Sequence, residues 1–100
     1  MLTPQQLIET LEAQLPYLSA EYGITRLGVF GSYAKGTVRS ESDIDLVVEF
    51  KTPLGLRFLD LIDYLEQLLH TPVDILTPAG IQAIRDTTIA KSIQESVVYV

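Results

Sequence analysis

The run Asp43-Ile44-Asp45-Leu46-Val47-Val48-Glu49-Phe50 places the tightest limit on what this chain can become. In a β-strand the backbone advances about 3.3 Å per residue and the side chains alternate between two faces. Ile44, Leu46, Val48 and Phe50 then share one face and require an apolar core against it. Asp43 and Asp45 share the other, with Cα atoms about 6.6 Å apart by the same rise. Two carboxylates at that spacing can converge on divalent cations. One greasy face, with two acids at the start of the other, describes a site built on a rigid element.

The preceding run, Ile24-Thr25-Arg26-Leu27-Gly28-Val29-Phe30, reads as a second strand leading straight into Gly31-Ser32. Glycine reaches φ > 0 and lets backbone approach a bulky anion, and serine is a good helix N-cap. A short helix begun at Ser32 offers free N–H groups and a positive dipole end to a phosphate; Gly36 would end it. A phosphate seat beside a carboxylate pair suits nucleotide chemistry, because divalent ions offset triphosphate charge and activate an attacking oxygen. In the loop from Tyr33 to Ser42, Lys35 and Arg39 are either charge partners of a triphosphate or simply solvated. Ser42 bonds either the site or its own turn.

The pattern G-S-x10-D-x-D, here Gly31-Ser32 followed by Asp43 and Asp45, resembles the DNA polymerase β-like nucleotidyltransferase superfamily. In that superfamily a third acid stands on a neighbouring strand, and Asp74 in Pro72-Val73-Asp74-Ile75-Leu76 is the matching candidate. The short chain is most similar to the minimal nucleotidyltransferases, in particular the MntA-type antitoxins paired with HEPN-domain toxins. The resemblance runs from about Ile24 to Leu76.

Composition narrows the chemistry. With no cysteine and a single histidine, His70, thiolate and histidine-rich metal sites are excluded, so a metal would be held by oxygens. That favours Mg²⁺ or Mn²⁺ over Zn²⁺. The net charge of −6 argues against unaided binding to a nucleic-acid backbone and favours a small substrate or a basic protein partner. No run is apolar enough for a membrane span and the N-terminus lacks a signal-peptide pattern, so a cytoplasmic protein without membrane contact is expected. One hundred residues, 47% hydrophobic and 20% charged, suit a single domain over 1–100.

The remaining segments read as scaffold. Thr3-Pro4-Gln5-Gln6 forms a helix start with a capping box, and Leu7, Ile8, Leu11, Leu15 and Leu18 follow at helical spacing. Pro16 should kink or interrupt this helix, and Gly23 should end it. Leu56–Leu69 reads as a second amphipathic helix, with Leu61, Leu65, Leu68 and Leu69 inward and Asp60, Asp63 and Glu66 solvated. His70 is placed at its C-terminus, where the dipole favours it. Thr77-Pro78 resembles another capped start, weakened by Gly80. Thr88–Glu95 should be helical with Ile89 and Ile93 inward, and Ser96–Val100 is β-prone and packs on the core or lies in an interface. The expected fold is α/β: a small, twisted, mixed sheet of three or four strands, helices mainly on one face.

The resemblance implies a reaction. Asp43, Asp45 and Asp74 would hold two Mg²⁺ ions, while Gly31, Ser32 and Lys35 hold the phosphates of ATP. Transfer of AMP to tyrosine hydroxyls of a HEPN toxin would disarm the toxin. Two alternatives stay open on the sequence: the catalytic subunit of an antibiotic nucleotidyltransferase, and an antitoxin that only binds, with a vestigial site.

Overall fold

The computed structural model describes residues 2–36 and 43–100, the side chain of Lys35 excepted. In chain order the elements are α1 (Pro4–Tyr22), β1 (Ile24–Phe30), α2 (Ser32–Lys35), β2 (Ile44–Phe50), α3 (Arg57–Leu69), β3 (Val73–Leu76), α4 (Pro78–Gln82), α5 (Thr87–Ser96) and β4 (Val98–Tyr99). Local chemistry sets most boundaries. The Gln6 N–H donates to Thr3 Oγ1 at 3.1 Å, and the Thr3 N–H donates to Gln6 Oε1 at 2.9 Å, closing the capping box of α1. Gly23, at φ 69°, ends α1 by donating its N–H to the Ser19 carbonyl. The helix continues through Pro16, which is exposed, so solvent can satisfy the carbonyl that the missing N–H leaves free.

The strands form one mixed sheet in the order β3-β2-β1-β4. β1 pairs antiparallel with β2 and β4, whereas β2 and β3 run parallel. The parallel pair is joined through α3, the crossover that such a pair requires. On one face Leu7, Leu11 and Leu18 of α1 and Leu61, Leu65 and Leu69 of α3 pack against Leu27, Val29, Ile44, Leu46 and Val48. This is the core that strand alternation demanded.

The other face is not wholly open. Phe30, Val47 and Ile81 form a second, smaller cluster, with Ala90, Ile93 and Val97 against it. The short helices α4 and α5 therefore cover its middle, which is why Val47 is buried on the acidic side of β2. Asp86 caps α5 by accepting from the N–H groups of Thr88 and Ile89, and the resulting phase turns Ala90, Ile93 and Val97 inward. Ile89 lies off that stripe and is 52% exposed, contrary to the expectation that it points in.

One further residue differs from expectation, and His70 stands at the end of α3 as expected. Glu66 is not simply solvated: its Oε2 accepts the N–H of Val73 at 2.9 Å and ties the last turn of α3 to the start of β3. His70 occupies the left-handed C-cap of α3 at φ 53°, a position glycine usually fills.

The C-terminal residues pack: Tyr99 pairs with Gly28, and Val100 donates its N–H to Leu27. A Cβ on Gly28 would lie 2.5 Å from Val97 Cγ1 and 3.0 Å from the Tyr99 ring. Gly28→Ala should therefore cost about 1–3 kcal/mol by overpacking. Calorimetry should show a lower Tm, and hydrogen exchange should show faster exchange at Val98 and Tyr99; an unchanged Tm would refute this packing.

Candidate active site

Two strand registers build the acidic end of the sheet. The antiparallel ladder sets Phe30 opposite Asp45, and the parallel ladder sets Asp74 opposite Asp45 from the other side. Residues directly opposite in register share a face, so Asp45 and Asp74 stand side by side, on the face away from the main core. Asp43 precedes β2 by one residue and is exposed, as is Asp74; Asp45 is half-buried.

Gly31 follows Phe30 and caps α2 at φ 72°, ψ −146°, a backbone conformation essentially confined to glycine. A Cβ there would overlap Asp45 Oδ2 and sit 3.1 Å from its Cγ. The Asp45 carboxylate thus leans over the Gly31 backbone, beside the start of α2. Among the described residues no side chain caps the first turn of α2, and Gly36 ends it in the left-handed region. Ser32 is half-buried at this start. Lys35 closes α2 with its backbone, and its side chain lies outside what the structure describes; Arg39 and Ser42 lie outside the described residues. Tyr33, buried in the main core, anchors α2 from beneath.

The electrostatics follow from this crowding. Partial burial raises the Asp45 pKa above its ordinary 3.8, and the negative charges of Asp74 and then Asp43 raise it further. Asp45 therefore feels the charges of both neighbours. The three carboxylates are not gathered into a ready cage: among the described residues no three His, Cys, Asp or Glu side chains are close enough to hold a metal ion. The donor set is all oxygen, and a divalent cation would relieve the repulsion, so the residues fit Mg²⁺ in kind.

Reasoning from sequence brought Gly31, Asp43, Asp45 and Asp74 to one end of the sheet, and the coordinates place them there. It missed Glu66, whose bond to the Val73 N–H fixes the strand entry next to Asp74. The available signal was weak: an acid on the last turn of a helix, seven residues before the strand. His70 is exposed on the left-handed cap of α3.

A family model described as a nucleotidyltransferase domain matches residues 11–100. Protein adenylyltransferase MntA of Thermococcus cleftensis is 37% identical over 101 residues, covering 100% of this chain and 98% of that protein. A solved structure described as a minimal nucleotidyltransferase is 31% identical, with a TM-score of 0.74 over 97% of this chain and 95% of that one. The crystal structure of a toxin–antitoxin with AMP-PNP has a TM-score of 0.63 over 98% of this chain and 72% of that one; at 22% identity it shows a shared fold.

Two outcomes are expected. Because the Asp45 pKa is raised, the folded chain binds a proton more tightly than the unfolded chain, and stability falls as pH rises from 3.8 through the folded value. In metal-free buffer at pH 7, Asp45→Asn should melt no lower than the parent, an advantage that disappears once the carboxyl is protonated; a clearly lower Tm would mark Asp45 as structural. Gly31→Ala forces a Cβ against Asp45 at an unfavourable φ and should cost about 1–3 kcal/mol. For a domain of this size that lowers Tm by about 4–8 °C per kcal/mol.

Proposed function

The chain belongs to the nucleotidyltransferase domain family, and from that premise we propose that it is a protein adenylyltransferase, moving AMP from ATP to tyrosine hydroxyls of a HEPN-domain toxin and so acting as its antitoxin. The observation that carries the reading is Asp45 held between Asp74 on one side and the Gly31 backbone on the other. Full-length similarity to a protein adenylyltransferase supports the reaction class.

In this reading Gly31 leaves room for the phosphates to approach the sheet edge. The Ser32 N–H and hydroxyl, with Lys35, hold the outer phosphates. Asp43, Asp45 and Asp74 would hold Mg²⁺, which when bound offsets the triphosphate charge and eases ionisation of the attacking hydroxyl. Asp74, exposed at the rim, orients the acceptor hydroxyl and takes its proton. The acceptor oxygen bonds to the α-phosphorus, the bond to pyrophosphate breaks, and AMP remains on the acceptor. The chain's contribution is positioning and electrostatics.

The acidic balance of −6 suits a basic partner and not a nucleic-acid backbone. Among the described residues no helix is long and apolar enough to cross a membrane.

The test is direct. Incubation with the cognate HEPN protein, ATP and Mg²⁺ should raise the partner's mass by one or more AMP units. Asp43→Asn or Asp45→Asn should reduce transfer by at least about a hundredfold, since even residues that only support metal ligands cost 10–100-fold, while far-ultraviolet circular dichroism stays unchanged. Full neutralisation of the toxin without a mass change would replace the enzyme with a passive blocker. Normal transfer by either variant would remove the site assignment.

A further inference from the structure

A second concave site lies on the same sheet face as the carboxylates, at the other end. Register gives the order: Asp74, Asp45 and Phe30 form one row, Leu76, Val47, Gly28 and Tyr99 the next, Glu49 and Arg26 the last. Asp45 and Glu49 are four residues apart on β2, about 13 Å at the strand rise. Val47, packed against Phe30 and Ile81, lies between the two ends. At the far row is a cavity of about 220 Å³, lined by Arg26, Glu49, Gln82, Gln94 and Tyr99 over apolar residues that include Ile81. None of the three carboxylates contributes to it.

The lining has a definite chemistry. The Arg26 guanidinium lies over the Tyr99 ring, 3.8 Å from its centroid, and its Nη1 is 3.6 Å from Glu49 Oε2. The two charges offset each other, so the cavity offers little net attraction to a phosphate. What remains is a flat cationic plane suited to stacking, beside a carboxylate acceptor. Gln82 and Gln94 bring amides, each both donor and acceptor. The stack is built into the backbone, because only glycine at 28 admits the Tyr99 ring. The volume is below the ~300–1,000 Å³ of drug-sized pockets. It suits one bicyclic ring.

We infer that this cavity is a second ligand site, taking a flat uncharged heterocycle with donor and acceptor edges, a purine base being the class that fits. Any sugar or phosphate attached to the base stays outside. The site does not depend on the transfer reaction and is tested without it.

Adenosine and guanosine, which carry no phosphate, are titrated into the intact protein in metal-free buffer and followed by ¹⁵N–¹H correlation spectra. One of them should shift the resonances of Arg26, Gln82, Gln94 and Tyr99 while leaving Gly31 and Asp45 in place. Gln94→Ala, an exposed change on α5, should weaken binding by about three- to tenfold, the loss of a single hydrogen bond. Asp45→Asn should bind as the parent does. No shift from either nucleoside, identical shifts in Gln94→Ala, or shifts confined to Gly31 and Asp45 would each overturn the inference. So would binding of a purine trinucleotide without binding of the nucleosides, because the strand's backbone would then be the ligand.

Discussion

Like charges directly opposite one another in a ladder oppose its formation, yet Asp45 and Asp74 are paired in this way. The opposition is overcome from the reverse side of the same two strands. Ile44 pairs with Val73 and Leu46 with Ile75, all packed into the main core. A slip of one residue would turn those side chains to solvent. The apolar face therefore fixes the register, and the register brings the acids together. Most of the core packs on one face of the sheet and the acids stand on the other, a division that strand alternation makes available at no extra length.

That division explains what the sequence made legible. Alternation from Ile44 to Phe50 identified both faces of β2, and β1 and β3 ended where their apolar residues gave way to Gly31 and to Thr77. The helix starts at Thr3 and Thr77 were legible because capping is local chemistry between near neighbours. Long-range packing was not. Val47 sits on the acidic side of β2, and nothing near it in sequence reveals that α4 and α5 will cover it. Ile89 illustrates the same limit: helical spacing names a stripe, but the phase of α5 on the sheet selects Ala90, Ile93 and Val97. Glu66 was read as a solvated residue because its role depends on where β3 begins.

The carboxylate end also shows how several elements together hold Asp45 in place. Tyr33 fixes α2 on the core from below. Gly31 bends the chain so that backbone, not side chain, faces Asp45. Glu66 secures the entry to β3. Each contact comes from a different element, and none of the three is itself a member of the acidic trio. Substitutions at such supports would shift the carboxylates by small distances while leaving the sheet whole, so the site's geometry is more fragile than the fold that carries it.

The parallel ladder between β2 and β3 has a further consequence, for the order of events as the chain folds. A hairpin-like contact such as β1 with β2 closes over a short span, but the two facing acids meet only after α3 has formed and carried the polypeptide back across the sheet. Such non-local pairings are late and slow to form. A half-folded molecule thus holds Gly31 and the first two acids without the third, and cannot assemble the trio. The three acids are complete as a group only once β3 has docked beside β2.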